Sequence, residues 1–266
     1  MLALLLMPTS ASAHSLTAAD AWLVVPWFTI AAFYAFGIGR LWARAGFGAG
    51  AGTAAAAAFA FGWVALGAAL LSPLDSLADA SLSAHMAQHM ILLAVVPPLV
   101  VAGKPVPVLL GIFPPRAARF LARPAHWRDW PTGLGAATLG QLIVLWGWHA
   151  PLALEWAARS DAVHWLMHAS FVVAGFLFWS ALWRSARGGI AIAVTMGHMG
   201  LLAALMTFSP RPWYAAYPDL VDQQLAGLIM WVPGAVPYLV GGLALVARWL
   251  RRGKLATEHT SPSNDS

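Results

Sequence analysis

This sequence contains two pairs of histidines in apolar stretches, and the two histidines of each pair are four residues apart. His85 and His89 open the stretch HMAQHMILLAVVPPLV, and His164 and His168 lie in a second apolar stretch. Residues at positions i and i+4 share one face of a helix, and an ionisable side chain inside a membrane-spanning segment is costly and therefore usually functional. The spacing predicts a shared polar site, for which metal binding by imidazole is the natural chemistry.

Other donor groups accompany the two pairs. The chain has no cysteine, so any soft-metal chemistry must use histidine and methionine, a donor set that favours copper and Cu(I) in particular. On a helix, Met86 and Met90 project about 100° away from the histidines that precede them, so not all of these side chains can bind one ion. The candidate metal ligands are His85, His89, His149, His164, His168, His198, Met86, Met90, Met167 and Met199.

Four other interpretations of these residues remain open. The histidines could form a structural hydrogen-bond network between helices, with methionines filling gaps in an apolar core. Histidines from two helices could instead bind haem b, although only Arg159 and Arg211 would lie near enough to pair with its propionates. His198 at mid-depth, beside a helix kinked at Pro233 and Pro237, would suit a copper or proton-coupled transporter. A pure scaffold predicts that no single histidine matters.

The composition indicates the elements that must position these residues. Of the 266 residues, 60% are hydrophobic and only 9% are charged, which excludes a soluble globule. Several apolar runs approach the roughly 20 residues that a membrane-spanning helix needs. We therefore predict an all-α fold, a polytopic membrane helix bundle with seven transmembrane helices. The predicted spans are Trp22–Leu41, Thr53–Leu71, Ala84–Val101, Leu134–Ala150, Val163–Trp183, Ile190–Phe208 and Leu225–Leu250.

Lysine and arginine are concentrated in alternate predicted loops. These loops hold 13 of the 15 basic residues, and the opposite side holds only Arg159 and Arg211. By the positive-inside rule, the N-terminus lies outside the membrane and the C-terminus lies in the cytoplasm. Both histidine pairs, His149 and the sequence Asp222-Gln223-Gln224 then lie near the outer surface. The basic charge thus reflects topology and contact with membrane lipid, and no nucleic-acid partner is expected.

The chain divides into three predicted parts. Residues 1–13 resemble a signal peptide ending in Ala11-Ser12-Ala13, residues 14–252 form the seven-helix membrane domain, and the polar residues 253–266 predict a disordered cytoplasmic tail. Cleavage after Ala13 would leave His14 at the N-terminus. There its amine and imidazole could chelate Cu(II), or it could be an ordinary loop residue.

Three stretches together resemble a known family. They are HMAQHMILLAVVPPLVVAGKP, WGWHAPLALEWAARSDAVHWLMHASFVVAGFLFW and DQQLAGLIMWVPGAVPYLVGGLAL, and they are similar, in this order, to the CtaG family of caa3-type cytochrome c oxidase assembly factors. The resemblance implies a non-enzymatic inner-membrane protein that helps to form active haem-copper oxidase through copper supply. Its partners would be oxidase subunits and a periplasmic copper chaperone. The matching motifs contain His85, His89, His149, His164 and His168.

Overall fold

The computed structural model describes residues 21–71, 73–122, 133–185 and 187–260, and all regular secondary structure in these ranges is helical. The predicted all-α class is therefore confirmed. The predicted signal peptide, 1–13, and His14 lie outside the described residues. The helices are α1 (Ala21–Ala45), α2 (Thr53–Leu70), α3 (Pro73–Ala80), α4 (Leu82–Met90), α5 (Val96–Ala102), α6 (Pro105–Leu110), α7 (Pro115–Ala122), α8 (Leu134–His149), α9 (Pro151–Arg159), α10 (Asp161–Leu182), α11 (Gly188–Thr207) and α12 (Leu220–Thr260).

Six helices in the described ranges are long and apolar enough to cross a membrane. They are Leu23–Ala45, Thr53–Leu70, Leu82–Ala102, Asp161–Leu182, Gly188–Thr207 and Leu220–Arg251. The fourth predicted span corresponds to α8, which has 16 residues. At 1.5 Å per residue α8 is about 24 Å long, against a hydrocarbon core of about 30 Å. The structure thus shows an all-helical bundle with six candidate membrane-spanning helices, while the count of seven spans stays a prediction. Helix α12 continues to Thr260, into the range predicted as the tail.

A π-helical segment, Ile91–Val95, joins α4 to α5 directly after the first histidine pair. Pro97 has no N–H, and in a regular α-helix its ring would collide with the carbonyl of Leu93. The wider π turn relieves this collision. A Cβ atom added to Gly175 of α10 would come within 2.6 Å of that carbonyl oxygen. Glycine at this position therefore lets α10 approach closely, which brings the second histidine pair against the first.

The main apolar core lies between α4, α8, α10, α11 and α12. Helix α12 packs along α11 and α4, and α10 packs along α8 and α5. Buried side chains such as Leu145, Phe171 and Tyr238 fill the space between them. Large apolar side chains such as Phe61 and Leu139 remain exposed on the outside of the bundle, as expected of helices that face lipid. The polar site described next therefore belongs to a bundle whose outer surface is largely apolar.

Candidate metal centre

Five histidines from three helices converge at one end of the bundle, and we call them the histidine cluster. They are His85 and His89 of α4, His149 at the end of α8, and His164 and His168 of α10. Between helices, the ring centroids lie 5.5 Å apart for His85 and His164 and 5.6 Å apart for His89 and His168. The rings of His89 and His149 are separated by 6.2 Å. The structure thus brings together histidines that are up to 83 residues apart in the chain.

The ring spacing is compatible with shared metal ligation. Two imidazoles bound to one ion at about 2.0 Å have ring centroids about 5 Å apart. The rings do not yet form a finished site, because in the described ranges no three His, Asp or Glu side chains have the geometry of a metal centre. Within each helix the rings meet nearly edge to face, at 4.2 Å for His85–His89 and 4.3 Å for His164–His168. Binding of an ion would therefore require the rings to rotate.

Several nitrogen atoms of the cluster are buried without a hydrogen-bond partner. His89 is 0% exposed and neither of its ring nitrogens is paired. Nε2 of His85 and Nδ1 of His168 also lack a hydrogen-bond partner, and these two side chains are 3% and 2% exposed. Buried polar groups are normally paired, and each unpaired one carries a desolvation penalty of about 1–3 kcal/mol. These atoms fit a metal ion, since imidazole nitrogen is a common metal ligand.

His149 connects the cluster to the thioether of Met86. Its Nδ1 lies 2.6 Å from the carbonyl oxygen of Leu145, one turn earlier in α8. Its Nε2 lies 3.1 Å from the sulfur of Met86 on α4. The helical offset that turns Met86 away from His85 therefore directs it toward the histidine of a neighbouring helix. Among the methionines predicted as ligands, Met86 is the one whose sulfur contacts a histidine of the cluster in the described part of the chain.

The start of α4, which carries the first histidine pair, is held by Asp222 of α12. The Asp222 carboxylate accepts hydrogen bonds from the Ser81 hydroxyl at 3.0 Å and from the N–H groups of Leu82 and Ser83 at 2.6 and 3.2 Å. The first N–H groups of a helix have no partner within the helix, and a carboxylate there is also favoured by the helix dipole. Asp222 thereby ties the two helices together one turn before His85.

Two tyrosines of the segment between α11 and α12 cover the cluster, and no sequence pattern predicted this role for them. Tyr214 donates a hydrogen bond to the carbonyl of His149 at 2.9 Å. Tyr217 donates to the carbonyl of Ala78 at 3.0 Å, and its oxygen lies 3.5 Å from Nδ1 of His85. Burial, together with the carboxylates of Asp79 and Asp222, raises the pKa of Tyr217 to about 12. Its hydroxyl therefore stays protonated at neutral pH. Aromatic residues in a short loop carry no local signal of this contact.

The other predicted ligands do not take part in these contacts. Met90 packs against α12, where a Cβ on Gly234 would come within 2.8 Å of the Met90 sulfur. Met167 and Met199 are buried in the apolar core. His198 is half-buried on α11 with both ring nitrogens unpaired. Across the described part of the chain, the polar and ring contacts of the cluster include none of these four side chains.

Comparison with known proteins gives one family and several relatives. The family model for the cytochrome c oxidase caa3 assembly factor (Caa3_CtaG) matches residues 32–252. The chain is 28% identical over 222 residues to uncharacterized proteins of Mycobacterium bovis and Mycobacterium tuberculosis, with 71% of this chain and 33% of each relative covered. An uncharacterized protein of Mycobacterium leprae is 27% identical over 223 residues, with 72% and 33% covered. The chain thus spans about one third of the length of these relatives. No solved structure matches it.

Proposed function

The chain belongs to the family of cytochrome c oxidase caa3 assembly factors (Caa3_CtaG), and from this premise we propose that it supplies copper to a haem-copper oxidase during assembly. The histidine cluster is the proposed binding site, and copper is the cargo rather than a resident cofactor. In this role the protein carries out no reaction on a substrate. Its partners are the oxidase subunits that receive the ion and a periplasmic copper chaperone that provides it.

The observation that carries the proposal is the environment of His89. Its ring is fully buried and both nitrogens lack a partner, yet the rings of His85, His149 and His168 surround it within 4.2–6.2 Å. A purely structural network would be expected to pair such atoms with each other. A metal ion accepts the lone pairs of several imidazoles at once, and so resolves their burial more completely than hydrogen bonds between them.

The proposal includes seven spans, an outer N-terminus and an inner C-terminus. With this orientation the histidine cluster lies at the periplasmic end of the bundle, where the copper chaperone and the copper-binding part of an oxidase would meet it. Exposed carboxylates stand at the same end of the bundle, on Asp79 before α4, Asp161 at the start of α10 and Asp219 before α12. Negative charge around the mouth of a site raises the local concentration of cations.

Copper content and oxidase assembly test the proposal together. The protein is purified in detergent from cells supplied with copper, and copper per chain is compared for the wild type, the double variant His85→Ala/His89→Ala and the control His198→Ala. We expect the wild type and the control to retain copper and the double variant to lose it. In a strain that lacks the native gene, only the double variant should fail to restore copper-loaded oxidase.

Three outcomes would contradict the proposal. Full copper retention and normal oxidase assembly in the double variant would mean that the cluster is a structural network. A Soret band in the visible spectrum of the purified wild type would instead favour the alternative in which histidines bind haem b. Uptake of copper into proteoliposomes by the wild type would favour the transporter alternative.

A further inference from the structure

We propose that the histidine cluster contains two successive copper positions, an outer one of three imidazoles and an inner one that selects Cu(I) through a thioether. The outer position would form from His85, His164 and His168 once their rings rotate, since within the described residues no three such side chains yet have the geometry of a metal centre. The inner position consists of His89, His149 and Met86. This inference rests on the proposed function, since it assumes that the cluster binds copper, and it adds the division of the cluster into two positions and the path along which the ion moves.

The inner position follows from the hydrogen bonding of His149. A carbonyl oxygen can only accept, so the 2.6 Å contact with Leu145 requires that Nδ1 of His149 carries the proton. In the neutral ring Nε2 is then an unprotonated nitrogen, and it points at the Met86 sulfur from 3.1 Å. A thioether has no hydrogen to donate. Two lone-pair donors therefore face each other, and no hydrogen bond can join them.

A soft metal ion is the partner that satisfies both atoms. Bonds of about 2.0 Å to nitrogen and about 2.3 Å to sulfur place two such donors about 3–4 Å apart, and the contact of 3.1 Å lies in this range. Thioether ligands select Cu(I) over the divalent ions that prefer oxygen and nitrogen. The arrangement of His149 and Met86 therefore has the spacing and the chemistry of two ligands of one Cu(I) ion.

His89 supplies the third donor of the inner position. It follows Met86 by three residues, and residues i and i+3 are neighbours on a helix surface. Its ring centroid lies 6.2 Å from that of His149, and both of its nitrogens are free to bind. The ring of Phe171 lies 4.5 Å from His89 and 6.5 Å from His149. This apolar wall excludes water, and Cu(II) would lack there the additional oxygen or nitrogen ligands of its tetragonal geometry.

The outer position lies between the inner one and the surface. His164 is the half-buried member of the cluster, its Nε2 is 3.1 Å from Nε2 of His168, and its ring stacks on His85 at 5.5 Å. His89 lies 4.2 Å from His85 and 5.6 Å from His168, measured between ring centroids. An ion held by the outer position can therefore exchange one ligand at a time onto His89 and pass inward or return.

Met90 provides a matched control for the role of Met86. The two methionines lie one turn apart on α4, and they are 0% and 5% exposed. The Met90 sulfur packs against Gly234 of α12, whereas the Met86 sulfur faces His149. If methionine serves only to fill the core, replacement by leucine should have the same effect at both positions.

The experiment loads the purified full-length chain anaerobically with Cu(I) in the presence of bicinchoninate as a competing chelator. X-ray absorption is recorded on the wild type, Met86→Leu and Met90→Leu. We expect two Cu(I) ions per wild-type chain and a sulfur scatterer at about 2.3 Å in the sample with one equivalent. Met86→Leu should lose the sulfur scatterer and weaken the tighter ion at least tenfold, and Met90→Leu should resemble the wild type.

The possible failures can be told apart. If the wild type binds no copper, the proposed function fails and this inference fails with it. If the wild type binds copper through nitrogen alone, only the inference is overturned. Equal effects of the two leucine substitutions, or retention of the sulfur scatterer in Met86→Leu, would also overturn it, because Met86 would then act through packing or not at all.

Discussion

At the scale of single residues, binding and folding make opposite demands on His89. Its ring is fully buried with two unpaired nitrogens, and each unpaired buried group costs about 1–3 kcal/mol. Leucine has a similar volume and would avoid this penalty. A buried residue that destabilises the ligand-free protein, and whose polar atoms find a partner only when a ligand binds, is typical of a binding site rather than of a hydrophobic core.

The substitution His89→Leu therefore separates the two interpretations of the cluster. Without copper, we expect the variant to unfold at the same temperature as the wild type or a higher one, with a gain of up to about 1–3 kcal/mol. With copper, the rise in Tm that binding gives the wild type should become much smaller, because the inner position loses one of its ligands. Thermal unfolding in detergent, with and without Cu(I), measures both effects.

His198→Leu is the control for this measurement, because His198 lies outside the contacts of the cluster. It should keep the rise in Tm that copper produces. The binding interpretation would be contradicted if copper-free His89→Leu were strongly destabilised and copper still raised its Tm as much as that of the wild type.

At the scale of elements, the cluster depends on how the start of α4 is held. Its first N–H groups are bound by a carboxylate from α12, and Gln88 on the same helix bonds to the carbonyl of Ala69 in α2 at 2.8 Å. The π-helical segment Ile91–Val95 then follows. The position of the first histidine pair is thus set by contacts at both of its ends rather than by α4 alone.

Replacing Asp222 by alanine should disturb the cluster by loosening the start of α4, since Asp222 is not itself one of the proposed copper ligands. Three hydrogen bonds to the start of α4 would be lost, and we expect a loss of about 1–3 kcal/mol in the free energy of unfolding. Because His85 and His89 follow within two turns, copper affinity should fall by about tenfold, which corresponds to 1.4 kcal/mol. Chemical unfolding and Cu(I) competition with bicinchoninate measure the two effects.

Asp219→Ala is the matched control, since Asp219 accepts a hydrogen bond from the N–H of Val221 at 2.9 Å within the start of α12. It should weaken the fold slightly and leave copper affinity unchanged. If Asp222→Ala lowered stability without changing copper affinity, the start of α4 would not be what positions the histidines.

At the scale of the whole molecule, charge is divided between the two ends of the bundle. Exposed carboxylates such as Asp79 and Asp161 lie at the end that carries the histidine cluster. Arginines such as Arg184 and Arg187 are exposed at the other end, where Arg248 of α12 donates to the carbonyl of Trp183 at 2.9 Å. This asymmetry is the basis for expecting the cluster on the outer side of the membrane.

The absence of native cysteine makes this orientation directly measurable with single cysteines. Ala158 is exposed on α9 at the histidine end. Gly189 is exposed at the start of α11, where an added Cβ meets nothing within 4 Å. On intact cells, a membrane-impermeant maleimide should label Ala158→Cys and not Gly189→Cys. Opening the membrane should make both reactive, and the reverse pattern would place the cluster on the cytoplasmic side.

Much of the fold and part of the site could be predicted from the sequence. Hydropathy located the six helices of spanning length, and the i, i+4 spacing of His85 with His89 and of His164 with His168 placed each pair on one helix face. These are properties of single segments, so they do not depend on neighbours. The roles of Met90, Met167, Met199 and His198 as ligands stay predictions, since a local pattern does not tell which side chains of a helix face which neighbour.

The sequence by itself thus determined an all-helical membrane protein with imidazole donors at one depth of the bundle. Helix length, polarity and residue spacing are properties of each segment taken alone. Only the tertiary structure decided which donors meet. The contact of Met86 with His149 joins residues that are 63 positions apart in the chain. The contacts of Tyr217 with His85 and of Asp222 with Leu82 join residues that are 132 and 140 positions apart. Such contacts depend on how far each helix is rotated and how closely it packs. Residues away from the donors, such as Pro97 and Gly175, contribute to this packing.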